Sequence, residues 1–197
     1  DDADRLRDPP VSRRTIDGLL TTIRENVSGL PMIEHASVAS DRPLRGGSEW
    51  ATSGVSLDEA AAKGALDASL AYVDPQYLAA AGIPLRAGRE IDRRDVAGGL
   101  PVAVLSEDIV RTQLGGASPV GRTISVRVGG SSRQLDRYRT RGIPTDRVVT
   151  PTIRATVVGV AGSVHAPFSA APSPTVYLPR RQHERSGIAY IIIRHTG

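Results

Sequence analysis

VDPQYLAAAGIPLRAGREI, Val73 to Ile91, is the part of this 197-residue chain with the densest helix and turn signals. Asp74 is a common N-cap residue, and Pro75 suits the first position of a helix, where its missing N–H costs nothing. Gly82 is the residue type that most often ends a helix, because it adopts the left-handed conformation easily. The pattern therefore predicts a helix of about two turns over QYLAAA, capped by Asp74 and ended by Gly82.

The residues after this helix, IPLRAG, are predicted to form an extended strand. Pro84 cannot donate a ladder hydrogen bond, which restricts the strand to an edge of a sheet or to the start of a pairing. Gly88 is expected in a tight turn, after which REIDRRD leads into a second lobe. Because no side chain here has the pattern of a catalytic group, the segment indicates architecture rather than chemistry.

A longer amphipathic helix is predicted near the start of the chain, over 12–29. Ser12 is a suitable N-cap and Gly29 a suitable C-terminal stop. Apolar residues recur at helical spacing, so that one face should pack against the core while the other faces water. These residues are Ile16, Leu19, Leu20, Ile23 and Val27.

Helical and strand patterns alternate irregularly along the rest of the chain. Ser106 is expected to cap a helix that ends at Gly115–Gly116. The segment 49–64 has a weak pattern, and SLDEAAAKGAL (56–66) indicates a helical turn or a loop. Irregular mixing without βαβ alternation predicts an α+β fold with two lobes. Strands are predicted over 32–40, 66–73, 101–106, 122–128, 152–164 (with a bend at Gly159 or Gly162), 174–179 and 188–195.

Composition restricts the function more than the fold. The chain is 40% hydrophobic but only 4% aromatic, so the core must consist mainly of Val, Ile, Leu and Ala. Its net charge is +4, and Lys63 is the only lysine among 25 basic residues. A GC-rich genome or recognition of phosphate and carboxylate both account for the arginines. The aromatic residues that single-strand binders stack on bases are missing, which argues against nucleic acid as a partner.

The absence of cysteine excludes disulfides, thiolate zinc sites and a cysteine nucleophile, and it suits an oxidising compartment. No apolar run reaches the roughly 20 residues of a membrane-spanning helix. The polar start, DDADRLRDPP, does not resemble a signal peptide. The sequence stops just after a predicted strand, as expected of a domain taken from a longer protein.

No motif indicates a reaction. GVAGS (159–163) lacks the full dinucleotide-binding pattern, and neither Ser48 nor Ser106 lies in a G-x-S-x-G sequence. The prediction is therefore no catalytic, cofactor-binding or metal-binding residue, with a hydrolase whose site gathers only in three dimensions as an open alternative. The histidines, which lack metal-binding spacing, are His35, His165, His183 and His195.

A polar, arginine-rich insertion at 129–151 interrupts the predicted strands. Its arginines are suited to anionic lipid headgroups or an acidic partner, and a solvated loop explains them equally well. Nucleic acid is the third anionic ligand considered for them, and salt-dependent binding would reveal it. The candidate interaction residues are Arg133, Arg137, Arg139, Arg141 and Arg147.

An ordered series of segments spanning about Leu19 to Gly197 carries a family resemblance. Each segment alone is weak, but together, in this order and spacing, they resemble the MacB-like periplasmic core domain of FtsX-type ABC-transporter permeases. The segments are SGLPMIEHASVASDRPLRGG, YVDPQYLAAAGIPLRAGREIDRRD, LPVAVLSEDIVRTQLGG, SPVGRTISV, ATVVGVAGSV and PSPTVYLPRRQ.

The resemblance implies two subdomains. A Porter-like α/β subdomain would comprise 1–98 and 186–197, and a mostly β, Sabre-like subdomain would comprise 99–185. The sequence departs from the family at two places. The insertion at 129–151 is longer than usual, and the Porter lobe normally continues past this end with another helix and strand.

The resemblance also implies a function. The domain would lie on the periplasmic face of the bacterial cytoplasmic membrane, without cofactor or catalytic role, and would couple transmembrane movement to substrate or partner handling in export. The implied partners are the transmembrane part of its own chain, a second permease protomer, a cytoplasmic ATPase and a periplasmic adaptor or substrate protein. A soluble lipid- or partner-binding module that uses the arginines of 129–151 is the alternative.

Overall fold

The computed structural model describes residues 13–40, 52–57, 68–128, 140–141, 152–165, 172–183 and 189–196. Within them, three helices accompany a mostly β architecture, which confirms the α+β class. The helices are α1 (Arg13–Ser28), α2 (Tyr77–Ala81) and α3 (Glu107–Leu114). The strands are β1 (Ile33–Ala39), β2 (Thr52–Leu57), β3 (Ser69–Val73), β4 (Leu85–Gly88), β5 (Val102–Ser106), β6 (Thr123–Val128), β7 (Thr152–Ala161), β8 (Thr175–Pro179) and β9 (Tyr190–His195).

The strands form one mixed sheet in the order β2-β6-β7-β5-β8-β3-β1-β9, and β4 pairs with β7 outside this path. The pairs β3–β8 and β5–β7 are parallel, and the other pairs are antiparallel. The sheet spans both predicted subdomains, since β3 pairs with β8 and β2 with β6. The division into 1–98 with 186–197 and 99–185 stays a prediction.

The core lies at the middle of the sheet, where strands are buried on both faces. Every residue of β5 and of β8 is buried. At the side of the sheet, β6 alternates between buried and half-buried residues, as its sequence pattern predicts. One strand, β2, lies in the segment 49–64, where the sequence pattern is weak and predicts no strand. Its TSGVSL sequence contains only two apolar residues, so its pairing with β6 is what defines it.

The start of α2 differs from the prediction. The helix has five residues, and its N-cap position is Gln76, in the left-handed conformation with φ 67° and without a side-chain cap. The prediction that Asp74 caps the helix and Pro75 opens it is therefore wrong, because Asp74 binds an arginine instead. The helix end is as predicted. Gly82 has φ 70°, and its N–H donates to the Ala79 carbonyl.

The predicted edge position of β4 is confirmed, but Gly88 has a different role from the expected turn. It lies opposite Gly159 within the β4–β7 pair and has φ 70°. A Cβ on Gly88 would lie 2.2 Å from the Val158 carbonyl oxygen, and one on Gly159 would lie 2.1 Å from the Arg89 carbonyl oxygen. The two glycines therefore permit a close backbone approach.

The helix α3 begins after Ser106, as predicted, but the Ser106 hydroxyl does not cap it. Its Oγ accepts the Thr175 N–H at 3.0 Å and so joins β5 to β8. The neighbouring Glu107 carboxylate accepts the Ser163 N–H at 2.9 Å. This backbone hydrogen bond lowers the pKa of Glu107.

Candidate functional site: the Arg180 junction

Two polar residues follow directly after two neighbouring strands. The parallel register pairs Val73 with Pro179, so that Asp74 and Arg180 emerge side by side at one end of the sheet. Segments from distant parts of the chain meet at this end. We call the group formed by Asp17, Asp74, Leu100, Arg180 and Gln182 the Arg180 junction.

A two-point ion pair forms the centre of the junction. The Nε of Arg180 lies 3.2 Å from Oδ1 of Asp74, and its Nη2 lies 3.0 Å from Oδ2. Only 2% of the Asp74 side chain and 11% of the Arg180 side chain are exposed. Burial is the largest single influence and lowers the pKa of Arg180, but the hydrogen bonds and negative charges of Asp74 and Asp17 together outweigh it and raise the pKa of the arginine. Both ions are therefore held in place inside the fold.

The backbone of Asp74 is also fully engaged. Its N–H donates to the Val38 carbonyl at 2.8 Å, and its carbonyl accepts the buried Ser37 hydroxyl at 3.0 Å. The Arg180 N–H donates to the Val73 carbonyl at 2.9 Å. Asp74 and Arg180 thus join the ends of β1, β3 and β8 to one another.

The helix α1 reaches the junction through Asp17, whose Oδ1 accepts a hydrogen bond from Nη1 of Arg180. The apolar stripe of α1 is less covered than predicted. Leu20, Ile23 and Val27 are half-buried, whereas Ile16 is 38% exposed and Leu19 58% exposed. Hydrophobic contact is weakest at this end of the helix, and here the Asp17–Arg180 pair adds a polar link between α1 and the sheet.

The connection between β4 and β5, residues 89–101, reaches the same junction through Gln182, which follows β8. Its side-chain Nε2 donates to the Leu100 carbonyl at 2.8 Å, and its Oε1 accepts the Val102 N–H at 3.1 Å. The two bonds fix the entry into β5 against the turn that follows β8.

The connection 89–101 is braced internally. Arg89 binds Asp95 at two points, 2.7 and 2.9 Å, and the Asp95 side chain is only 5% exposed. The Asp92 N–H donates to the Asp95 carboxylate, and the Asp92 carboxylate pairs with the Arg94 guanidinium. The hydrogen bond from the Arg94 side chain is the main reason why the pKa of Asp92 falls to about 2. The segment is therefore an ordered connection.

A small cavity lies beside the junction, with a volume of about 10 Å³ and a lining that includes Asp74, Tyr77, Glu90 and Tyr177. This volume is about that of one water probe, so the cavity does not accommodate a transported substrate. Burial raises the pKa of Glu90, and it raises the pKa of Tyr177 as well.

Among the sequence-predicted interaction residues, only Arg141 lies in the described part of the chain, and it is not part of this junction. Arg141 is exposed, and Arg133, Arg137, Arg139 and Arg147 lie outside the described residues. The four histidines are separate from the junction as defined. His165 and His195 are exposed, His35 is half-buried, and the ring of half-buried His183 lies 5.8 Å from that of Tyr72. No group of three or more His, Asp or Glu residues suited to a metal exists within the described ranges.

Sequence reasoning missed the junction, although a signal for it exists. Asp74 and Arg180 each follow directly after an apolar strand. Only the parallel pairing of these strands reveals that the two residues meet, and one sequence does not specify that pairing. Asp17 gave no signal beyond its position on a polar helix face. Among the helices in the described part of the chain, none is long and apolar enough to cross a membrane.

A family model, described as MacB-like periplasmic core domain, matches residues 7–195. The chain belongs to this family of periplasmic domains of ABC-type permeases. No curated sequence matches the chain.

One solved structure supports the fold. The periplasmic region of MacB from Actinobacillus actinomycetemcomitans is 16% identical with a TM-score of 0.51, and the match covers 89% of this chain and 64% of that one. The extracellular domain of the noncanonic ABC-type transporter YknZ from Gram-positive bacteria is 13% identical with a TM-score of 0.45, covering 80% and 60%. This chain thus spans less than two thirds of each of these two solved domains.

Proposed function

We propose that this chain is a non-catalytic domain on the outer face of the bacterial cytoplasmic membrane that passes movement of permease membrane helices to a substrate or partner. Family membership supports the location. The observation that carries the mechanical part is the link from Asp17 on α1 through Arg180 to Asp74. No cofactor is needed for this role.

The link provides a short path from a helix to the centre of the sheet. A displacement of α1 acts on the guanidinium of Arg180, which is held at two points by Asp74. Asp74 is in turn bonded to Val38 and Ser37 of β1. Since packed interiors deform little, the displacement reaches β1, β3 and β8 together.

The partners follow from this role. They are the transmembrane part of its own permease chain, a second permease protomer, a cytoplasmic ATPase domain or subunit, and a periplasmic adaptor or substrate protein. The transmembrane part of the permease chain would cause the movement of the sheet, and the periplasmic adaptor or substrate protein would respond to it.

The test begins with the parent protein. Apolar spans of about 20 residues should flank this segment on both sides. Because the 197 residues contain no cysteine, Ala117→Cys, at an exposed position, places one reactive thiol in the domain. A membrane-impermeant maleimide should label it in intact cells. Missing spans, or labelling only after lysis, would contradict the proposal.

A second candidate function, binding of an anionic partner by the 129–151 insertion, has one observation in its favour. The antiparallel strands β6 and β7 lead into and out of the insertion, and Arg127 and Arg154 share a face of this pair. The arginines at its base therefore extend the basic character of the insertion. Binding should fall steeply with salt and disappear in the Arg137→Ala, Arg139→Ala, Arg141→Ala variant. Salt-insensitive binding would reject this function.

A further inference from the structure

The helix α2 is held at its two ends by charged side chains from other parts of the chain. At its start, Gln76 adopts the left-handed conformation and provides no side-chain cap. Leu78, in the first turn, instead donates its N–H to the carboxylate of Glu90. At the other end, Nη1 of Arg194 donates to the Ala79 carbonyl at 3.3 Å. An acid at the start and a base at the end match the polarity of a helix.

Glu90 links this helix to the connection 89–101. Its backbone is ordered, since Nη1 of Arg89 donates to the Glu90 carbonyl at 3.0 Å. The far end of the connection is bonded to Gln182 at the Arg180 junction. The helix itself packs against β1 and β9. The contact between Glu90 and Leu78 therefore joins the connection to the part of the sheet that α2 covers.

The Glu90 carboxylate lies in a site that opposes its charge. The residue is half-buried and lines the cavity of about 10 Å³, which admits about one water molecule. Burial is the largest influence on the pKa of Glu90 and raises it, and the charge of Asp92 raises it further. The Leu78 hydrogen bond and the charge of His35 lower this pKa, but the net result is a raised value. The other titratable residues that line the same cavity are Asp74, Tyr77 and Tyr177.

We propose that Glu90 is a proton-controlled latch between α2 and the connection 89–101, which closes more tightly when the carboxylate takes up a proton. The closed latch keeps the Glu90 side chain against Leu78, and the open latch exposes the carboxylate to water. Because the closed site disfavours the charged form, proton uptake shifts the equilibrium toward the closed latch. The connection is thus joined firmly to α2 in an acidic medium and more loosely at neutral pH.

His35, on β1, distinguishes a proton latch from a purely structural contact. Its charge favours the Glu90 carboxylate over the neutral acid. Its Nδ1 is buried without a hydrogen-bond partner among the described residues, so His35→Gln removes the charge without breaking a hydrogen bond at this atom. Loss of the charge should raise the pKa of Glu90 further and move the closing of the latch to higher pH.

The first measurement follows two NMR signals of the 197-residue chain as the pH is varied. They are the side-chain carboxyl carbon of Glu90 and the amide proton of Leu78. Both should change with one common midpoint above 4.5, the usual value for glutamate, because the group that takes up the proton is the acceptor of this amide. In His35→Gln the common midpoint should move to higher pH.

Hydrogen exchange measures the opening of the latch itself. The protection factor of the Leu78 amide, which corrects for the intrinsic effect of pH on exchange, should rise severalfold as the pH falls from about 7 toward 4.5. Glu90→Gln has the shape of the protonated acid and no charge, so its protection should be high and independent of pH.

Two control variants show whether the response belongs to this contact. Glu25→Gln removes a glutamate on α1 whose side chain is 64% exposed, and it should keep the wild-type response. Arg194→Gln removes the contact at the other end of α2. It should lower the protection of the Ile83 amide, which donates to the Leu78 carbonyl at 2.8 Å, by the same factor at every pH.

Three results would overturn the latch. They are a Leu78 amide signal that stays constant while Glu90 titrates, a midpoint that His35→Gln leaves in place, and a pH response of the protection factor that Glu90→Gln retains. The latch adds a regulation to the proposed function without depending on it. The labelling of Ala117→Cys in cells tests that function separately, so either can fail while the other holds.

Discussion

Arg180 and Asp74 form a two-point ion pair at the ends of two neighbouring parallel strands, with distances of 3.2 and 3.0 Å. The two side chains are 11% and 2% exposed. A buried pair of this kind need not exceed an apolar pair in stability, but removal of one partner leaves a charge uncompensated. Removal of either side chain of the pair is therefore expected to destabilise the whole junction.

Asp74→Asn should lower the free energy of unfolding by about 3 kcal/mol, because Arg180 then loses its buried counter-ion while the side-chain shape is kept. Urea denaturation monitored by circular dichroism measures this change. Arg94→Gln is the control, since the Arg94 side chain is 78% exposed and an exposed pair contributes far less to stability than a buried one. Equal losses in the two variants would contradict the central position of Asp74.

Gly88→Ala and Gly159→Ala should each destabilise the fold strongly. A Cβ at either position would lie about 2 Å from a backbone carbonyl oxygen, so the β4–β7 pair must separate. The expected loss is about 3 to 5 kcal/mol for Gly88→Ala, where the positive φ adds strain.

Gly98→Ala separates these two causes. Gly98 has φ 82°, but a Cβ at this position would meet nothing within 4 Å, so only the backbone strain of about 1 to 2 kcal/mol remains. Thermal or urea unfolding compares the three variants. A Gly88→Ala protein as stable as Gly98→Ala would rule out the close approach.

Asp17→Asn should loosen α1 without unfolding the sheet. The carboxylate is 55% exposed, so the pair contributes up to about 1 kcal/mol, which corresponds to roughly fivefold faster opening of the helix. Hydrogen exchange should therefore quicken in the amides of α1 and stay unchanged in β3 and β8. Asp17→Glu keeps the charge and should restore part of the protection. Uniform acceleration across the sheet would contradict a local link.

Glu90→Gln should stabilise the protein at neutral pH. Burial raises the pKa of Glu90 above its usual 4.5, so the folded state disfavours the carboxylate more than the unfolded state does. The wild type therefore gains stability as pH falls through the folded-state pKa toward 4.5. The advantage of the variant should be largest at pH 7 and shrink below that pKa. An advantage independent of pH would contradict this explanation.

Local patterns predicted much of the fold. The period of α1, the buried strands β5 and β8 and the Gly82 helix end follow from spacing and residue type, which act over a few residues. The strand β2 did not follow, because its two apolar residues give no period and β6 supplies its pairing.

The Arg180 junction could not be predicted either, because it too depends on pairing between strands that are distant in sequence. Asp74 beside Pro75 has the local form of a helix start, and the competing partner, Arg180, lies 106 residues away. The ion pair took precedence over the cap because the parallel β3–β8 register brings the two residues together. Gly88 likewise looked like a turn residue, since the opposing Gly159 is distant in sequence.

The most direct test of coupling through Arg180 is a distance measured in the parent permease, reconstituted with its ATPase. Spin labels at Thr22→Cys on α1 and Ala117→Cys after α3 occupy exposed positions. Electron spin resonance then gives the label distance with and without ATP. If Asp17 and Arg180 fasten α1 to the sheet, the distance stays constant in the wild type and changes or broadens in Asp17→Asn. A wild-type distance that shifts with ATP as much as that of the variant would contradict the rigid link.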